Sequence, residues 1–202
     1  MLNRARFDEA VKLLAARDED LAAVVRQVGA PSFWSRPAGF ASLVYIIFEQ
    51  QVSLASAKAT YVKVCALLDE FAPEFYLKLG DEALRCAGVS RQKTRYTRLV
   101  AEAIVSGALP IAALGRKSDD EVRSLLTAIT GIGNWTADIY LMAALRRPDL
   151  WPLGDLALHK SVQAVKGLSE RPHADYLAAL GERYRPYRSV ATHIYWRHYL
   201  MQ

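Results

Sequence analysis

Apolar residues recur along this chain at intervals of three and four, the spacing that lines one face of an α-helix. The stretch from Phe40 shows it plainly, with Phe40, Leu43, Val44, Ile47 and Phe48 falling on one stripe. The same rhythm predicts helices over 5–16, 18–28, 38–50, 54–70 and 91–106. Breaks stand where turn chemistry places them, at Gly29-Ala30-Pro31, Ala72-Pro73, Gly88, Gly107, Pro110, Gly131 and Gly133. Ser118-Asp119-Asp120-Glu121 has the spacing of a capping box, in which Ser118 and Glu121 satisfy amides at a helix start. There is no alternating strand pattern, repeat or low-complexity tract. The expected fold is all-α.

Composition narrows the class. A chain of 202 residues can bury one sizeable core or build two small helical lobes. Hydrophobic residues at 52% and charged residues at 23% argue against extensive disorder. The net charge of +5 suits a polyanionic partner, although many basic proteins bind none. The strongest candidate for a membrane span, Phe40 to Phe48, stops at Glu49, short of a bilayer span, and Met1 to Glu9 lacks the apolar stretch of a secretory signal. Cys65 and Cys86 sit in apolar, helix-like surroundings and are expected as buried, reduced thiols. They are too few for an iron–sulfur cluster, and no Cys/His pairing has zinc spacing. His159, His173, His193 and His198 show no ligand or triad arrangement.

The most informative stretch is Leu126 to Asp138. A capped apolar helix (118–128) runs into Gly131-Ile132-Gly133 and at once into a second helix (134–146). Glycines two apart admit backbone conformations closed to other residues, so a tight hairpin can form, with Ile132 turned inward to lock the helices together. The amides of Gly133 and Asn134 would then lie at a helix N-terminus, where partial positive charge favours phosphate. A plain packing corner is the competing reading.

Four motifs carry a resemblance to a known family. The hairpin Ile129 to Ala137 resembles that of the helix–hairpin–helix, Gly/Pro-Asp DNA glycosylases. Trp151-Pro152-Leu153-Gly154-Asp155-Leu156-Ala157-Leu158 is similar to the loop holding their catalytic aspartate. Phe48-Glu49-Gln50-Gln51-Val52-Ser53 resembles the segment that enters the minor groove. Arg185-Pro186-Tyr187-Arg188-Ser189-Val190-Ala191, followed by Trp196, matches the last helix of the 3-methyladenine DNA glycosylase II branch. The resemblance spans roughly residues 35 to 200, in the family's order.

It implies two helical lobes around a DNA-binding cleft, the chain 1–202 forming a single compact helical unit with its helix–hairpin–helix element at 118–146. The implied activity is hydrolysis of the N-glycosidic bond of alkylated purines, 3-methyladenine or 7-methylguanine, in double-stranded DNA. Asp155 is the implied catalytic residue. Breaking the bond builds positive charge on the sugar, which a nearby carboxylate stabilises, more strongly in the apolar surround of Trp151, Pro152, Leu153 and Leu156. The same carboxylate can serve as general base toward an attacking water. A helix N-cap role for Asp155 is compatible with catalysis, since it opens the apolar segment Leu156, Leu158, Val162.

Trp135 stands where relatives with lyase activity carry a lysine, so no Schiff base and no strand cleavage are expected. Lys160 is expected to face solvent or phosphate. Trp135 and Trp196 would offer aromatic faces to an extruded base, with Tyr140 or Trp34 contributing because Ile139 replaces an aromatic residue. Cation–π attraction to an alkylated purine adds roughly 0.5–2 kcal/mol. Gln51, with Gln50 beside it, is the implied wedge that fills the gap left by the base; an ordinary polar turn is the alternative. Gly131, Gly133, Asn134 and Thr136 are the implied phosphate contacts. No cofactor is required, and the carbonyls of Thr127, Ile129 and Ile132 are candidates for a structural Na+ or K+. Arg91, Lys93, Arg95 and Arg98 read as a solvated helix face, and Arg188 as a phosphate contact, a brace for Asp155 or a packing residue. The protein is expected to act as a monomer, off the membrane, in the cytoplasm at the nucleoid or in a eukaryotic nucleus. A glycosylase for deaminated purines such as hypoxanthine, and a non-catalytic helix–hairpin–helix DNA-binding protein, are the alternatives.

Overall fold

The computed structural model of the protein describes residues 1–202. It is all helical, without strands: α1 Arg4–Arg17, α2 Glu19–Val28, α3 Phe40–Glu49, α4 Leu54–Cys65, α5 Pro73–Tyr76 and α6 Asp81–Cys86. There follow α7 Arg91–Val105, a 3-10 helix Ile111–Arg116, α8 Asp119–Thr127, α9 Asn134–Ala143, α10 Leu156–Val165, α11 Ala174–Glu182 and α12 Arg188–Leu200. No helix is long and apolar enough to cross a membrane. Side chains close the exposed amides at helix starts. Asn3, Asp18, Ser53 and Ser90 cap α1, α2, α4 and α7, and the Ser118–Glu121 capping box opens α8 with both reciprocal bonds in place.

The chain forms two compact units, one from Met1–Ser35 with Leu141–Gln202 and one from Arg36–Tyr140. In the first, α12 is buried at every position from Ser189 to Tyr195, the mark of a helix surrounded by its neighbours. Phe7, Leu14, Leu21, Val162, Leu177 and Tyr184 pack with its Ile194 and Tyr195 in one core. The polar side chains on so buried a helix need partners. Thr192 donates to the Arg188 carbonyl at 3.0 Å, Ser189 to that of Arg147 at 2.8 Å, and a ring nitrogen of His193 meets the Ser189 carbonyl at 2.7 Å.

In the second unit α3 has the same status, with eight of its ten residues buried. Its last residue, Glu49, takes two bonds from Arg36, at 3.2 and 2.5 Å, and Arg36 lies 4.0 Å above the Tyr45 ring. Burial holds Glu49 above the usual carboxylate range despite the opposing pull of Arg36.

Two expectations need correction. The helix from Leu54 ends at Cys65, not at residue 70. Phe71 stacks on Tyr61 at 5.2 Å, as Tyr61 does on Tyr45 at 4.4 Å. A continuous helix would carry residue 71 roughly 15 Å along the axis from residue 61, so the chain must turn back to make that contact. The thiols are not both buried either. Cys65 is half-buried and Cys86 is exposed, because short α6 buries only Leu84.

One polar network lies at the margin of the first core. Asp18 accepts the Asp20 and Leu21 amides at 3.0 and 3.1 Å, Lys166 at 3.2 Å and the Tyr184 hydroxyl at 3.2 Å. Burial pushes its pKa up, but these donors and the Lys166 charge win, and the net displacement is downward. Asp18 therefore contributes stability above the ordinary value of 3.8 and loses it as pH falls through its lower folded value. Asp18→Asn should cost about 1–3 kcal/mol at neutral pH, read as a shift in urea midpoint. The gap from wild type should narrow under acid, and a gap constant through the carboxylate range would count against the network.

Candidate active site and DNA-binding hairpin

In the first unit, Pro152 to Asp155 forms a turn closed by the Asp155 amide on the Pro152 carbonyl at 2.9 Å. The turn delivers Asp155 to the N-cap of α10. One oxygen, Oδ1, accepts the Leu158 amide at 2.7 Å and the Trp196 indole N–H at 2.9 Å. Asp155 is 7% exposed, and it sits where the partial positive charge of a helix start favours an anion. His159, one turn on, meets the Leu153 carbonyl through Nε2 at 2.7 Å. The carboxylate is fixed by donors from two helices.

Its expected surround is different in kind. Trp151 faces the core, donating to the Leu177 carbonyl at 2.8 Å and lying against Gly181, where an added Cβ would come within 2.6 Å of the indole. Leu153 and Leu156 are 40% and 50% exposed, so they flank the turn as an apolar surface and do not enclose it. Trp196, read from sequence as a face for the base, is half-buried and donates its indole N–H to Asp155. Its ring stands edge-on to Trp34 at 5.6 Å and tilted to His193 at 5.3 Å. Arg188 does not brace Asp155. It grips Asp149 through Nε and Nη2 at 2.9 and 3.1 Å and reaches Glu182 at 3.2 Å. Lys160 is exposed, as expected.

In the second unit, α8 and α9 flank the hairpin. Arg123 ties them, with Nε and Nη2 at 3.1 and 2.9 Å from one oxygen of Asp138. Ile132 is 4% exposed and its amide closes the turn on the Ile129 carbonyl at 3.0 Å. A cation held by the Thr127, Ile129 and Ile132 carbonyls would share that Ile129 oxygen. The two glycines turn out to be unlike. Gly131 has φ +95°, and a Cβ there would lie 2.1 Å from the Tyr96 ring, so both backbone and space demand glycine. Gly133 has no positive φ and nothing within 4 Å of a Cβ. Gly133 and Asn134 are exposed, and Trp135 is half-buried just after them.

Gln51 and Gln50 part company. Gln51 is exposed, with φ +57°, a left-handed conformation that costs a residue with a side chain about 1–2 kcal/mol. Gln50 turns to the hairpin, donating from Nε2 to the Gly131 carbonyl at 3.0 Å and to Thr136 Oγ1 at 2.9 Å. Thr136, 2% exposed, thus spends its hydroxyl inside the protein and presents none to a phosphate. Tyr140 is fully buried and its hydroxyl accepts the Gly39 amide at 3.0 Å; burial pushes that phenol up to about 12. Ile139 is buried as well. Neither offers a face to a base.

The structure adds Gln92 and Tyr96, which sequence reasoning passed over, and takes Lys93 and Arg98 out of the expected solvated face. Gln51, Gln92, Lys93, Tyr96, Gly131 and Gly133 line an open depression of about 390 Å³. Tyr96 lies beneath Gly131 and its hydroxyl accepts from Gln92 at 2.7 Å. Lys93 donates to the Phe48 carbonyl at 2.8 Å, and burial lowers its pKa. Arg98 bonds the Leu77 and Leu79 carbonyls, leaving Arg91 and Arg95 as the exposed members of the basic run. Their i, i+3 and i+4 spacing on α7 was legible, but not which element they meet.

Relatives share this architecture along nearly the whole chain. The alkylbase DNA glycosidase-like protein mag2 of Schizosaccharomyces pombe is 27% identical over 95% of this chain and 93% of its own. The 3-methyladenine DNA glycosylase Mag1 of the same yeast, solved in complex with abasic DNA, superposes with a TM-score of 0.87 at 27% identity, covering 93% of this chain and 95% of that one. A DNA-3-methyladenine glycosidase structure from Bacillus halodurans matches with a TM-score of 0.77 at 36% identity, over 93% and 87% of the two chains. Residues 44–186 match the model of the HhH-GPD superfamily base excision DNA repair protein. With both helical units, the glycine hairpin and the capping aspartate in place, the chain belongs to the HhH-GPD superfamily of base excision DNA repair proteins.

Proposed function

We propose that the protein is a monofunctional DNA glycosylase, hydrolysing the N-glycosidic bond of alkylated purines such as 3-methyladenine and 7-methylguanine and leaving an abasic site. The observation that carries this reading is the buried Asp155 carboxylate with two N–H donors on one oxygen. As the bond between C1′ and the base breaks, the electron pair leaves with the base and positive charge collects on the sugar. An anion already oriented stabilises that charge without reorganising. Water then adds its oxygen to C1′ and gives up a proton, with Asp155 as general base. The names of the relatives, which act on 3-methyladenine or alkylated bases, support the same chemistry.

Trp135 has no amine with which to attack the sugar, so the strand stays intact. Its half-buried ring supplies an aromatic surface for an electron-poor base. The Gly133 and Asn134 amides take a DNA phosphate. Glycine at 133 is not required by the fold, and it leaves the backbone open to close approach. The hairpin carbonyls of Thr127, Ile129 and Ile132 would hold a Na+ or K+ that fixes the turn, with no part in the chemistry. Trp196 serves the reaction by holding Asp155.

The deciding experiment incubates wild type and Asp155→Asn with duplexes containing 3-methyladenine, 7-methylguanine or hypoxanthine, scoring released base and strand breaks separately. Asparagine is as good an N-cap as aspartate, so the variant should fold and bind DNA while excision falls about a hundredfold or more. Breaks in the wild-type reaction before heat or alkali would refute the no-lyase claim.

Trp196→Phe keeps a ring beside Trp34 but removes the indole N–H. It should lower kcat roughly tenfold or more, the value of a hydrogen bond to a charged group, with DNA affinity unchanged. A change confined to KM would return Trp196 to a base-stacking role. The hairpin glycines should separate too. Gly133→Ala should leave stability within about 1 kcal/mol yet weaken duplex binding, whereas Gly131→Ala should cost more than that in stability. Equal effects in a melting and binding series would contradict the assignment.

A further inference from the structure

Gln50 spends its side chain inside the protein, yet its neighbour is the one exposed residue of this turn held in a left-handed backbone. Its backbone ends α3, with the amide on the Ile47 carbonyl at 3.2 Å. Lys93 reaches from α7 to the Phe48 carbonyl at 2.8 Å and fixes the last turn of α3 from the other side. Beyond Gln51, Ser53 starts α4 by accepting the Ser56 amide at 3.2 Å. Gln51 is thus suspended between two anchored helix ends, and a strained conformation persists only where its surroundings over-determine it.

The Gln50 amide is fitted to its partners. Both of its hydrogens are used, one on the Gly131 carbonyl before the hairpin turn and one on Thr136 Oγ1 in the first turn of α9. Asparagine would be one methylene short, and glutamate would set a negative charge against a carbonyl oxygen. Gly131 is itself immobilised by the Tyr96 ring beneath it. The amide therefore binds the Gln51 turn to both sides of a rigid hairpin.

We propose that Gln50 is a positioning residue: by clamping Gly131 and Thr136 it sets the angle and reach at which Gln51 enters a duplex. What Gln51 does there rests on the glycosylase reading; what Gln50 does to Gln51 rests on the geometry alone.

The test uses the full chain and a duplex carrying a tetrahydrofuran abasic analogue opposite 2-aminopurine, whose fluorescence reports side-chain entry without any excision. Gln50→Ala should lose most of the fluorescence change and lower kcat on 3-methyladenine about tenfold with KM within about threefold. Gln51→Ala should do the same, and the double variant should fall no further than Gln51→Ala alone, within about twofold. Thr136→Ser, which keeps the acceptor, should behave as wild type, and Thr136→Val should show a partial loss. Should Gln50→Ala fail to fold, Thr136→Val against Thr136→Ser decides the matter. A folded Gln50→Ala with its fluorescence change intact, or losses that multiply in the double variant, would overturn the proposal. Wild type that gives the fluorescence change but releases no base would sink the glycosylase reading and leave the Gln50 claim standing.

Discussion

An anion stabilises charge on a sugar efficiently only if it need not move when the charge appears. On the proposed catalytic reading that constraint falls on a single oxygen of Asp155, held by a main-chain amide of α10 and an indole N–H of α12. The first donor is local, a consequence of the N-cap position. The second depends on the whole unit, because α12 carries Trp196 at the end of a segment buried on all sides. Packing around Phe7, Leu177, Ile194 and Tyr195 therefore has a chemical consequence: it sets where the indole stands. On that reading, stability and catalytic geometry share the same side chains.

If the hairpin takes phosphate as proposed, the second unit solves a different problem, the fixed presentation of backbone. A hairpin that grips phosphate through amides has no side chain to adjust, so its dihedrals must be set in advance. Tyr96 beneath Gly131, Ile132 pointing inward and the Arg123–Asp138 pair do this without occupying Gly133 or Asn134. The Gln50 amide extends the same rigidity to the neighbouring turn. Rigid elements carry exposed, unencumbered residues, and that division accounts for one glycine being obligatory and the other not.

The helices were legible because burial of one face repeats with a period the sequence preserves, and their starts because Ser, Asn and Asp cap them. The hairpin and Asp155 were legible for the same local reason: glycine, isoleucine and a capping carboxylate act within a few residues. What stayed hidden joins distant positions. Trp196 meets Asp155 across 41 residues, and Gln50 meets Gly131 across 81. No periodicity encodes such pairs, so neither the Trp196–Asp155 bond nor the Gln50 clamp could be read from the chain. The early end of α4 was hidden likewise, since Leu67 and Leu68 prolong the apolar rhythm while the Tyr61–Phe71 stack decides the path.

The fate of the histidines in the first unit bears on which base can leave. A neutral purine departs poorly unless an acid protonates it, whereas a base alkylated at N3 or N7 already carries the positive charge that protonation would supply. In this unit the buried imidazoles are committed elsewhere. His159 is held on the Leu153 carbonyl, and His193 lies on the Ser189 carbonyl, its pKa lowered by burial so that it stays neutral. What the unit would offer the proposed reaction is the oriented Asp155 anion. On the proposed reading such an anion stabilises a sugar cation, and both buried imidazoles already serve backbone carbonyls. The chemistry it favours is therefore the loss of bases that are good leaving groups before the enzyme acts.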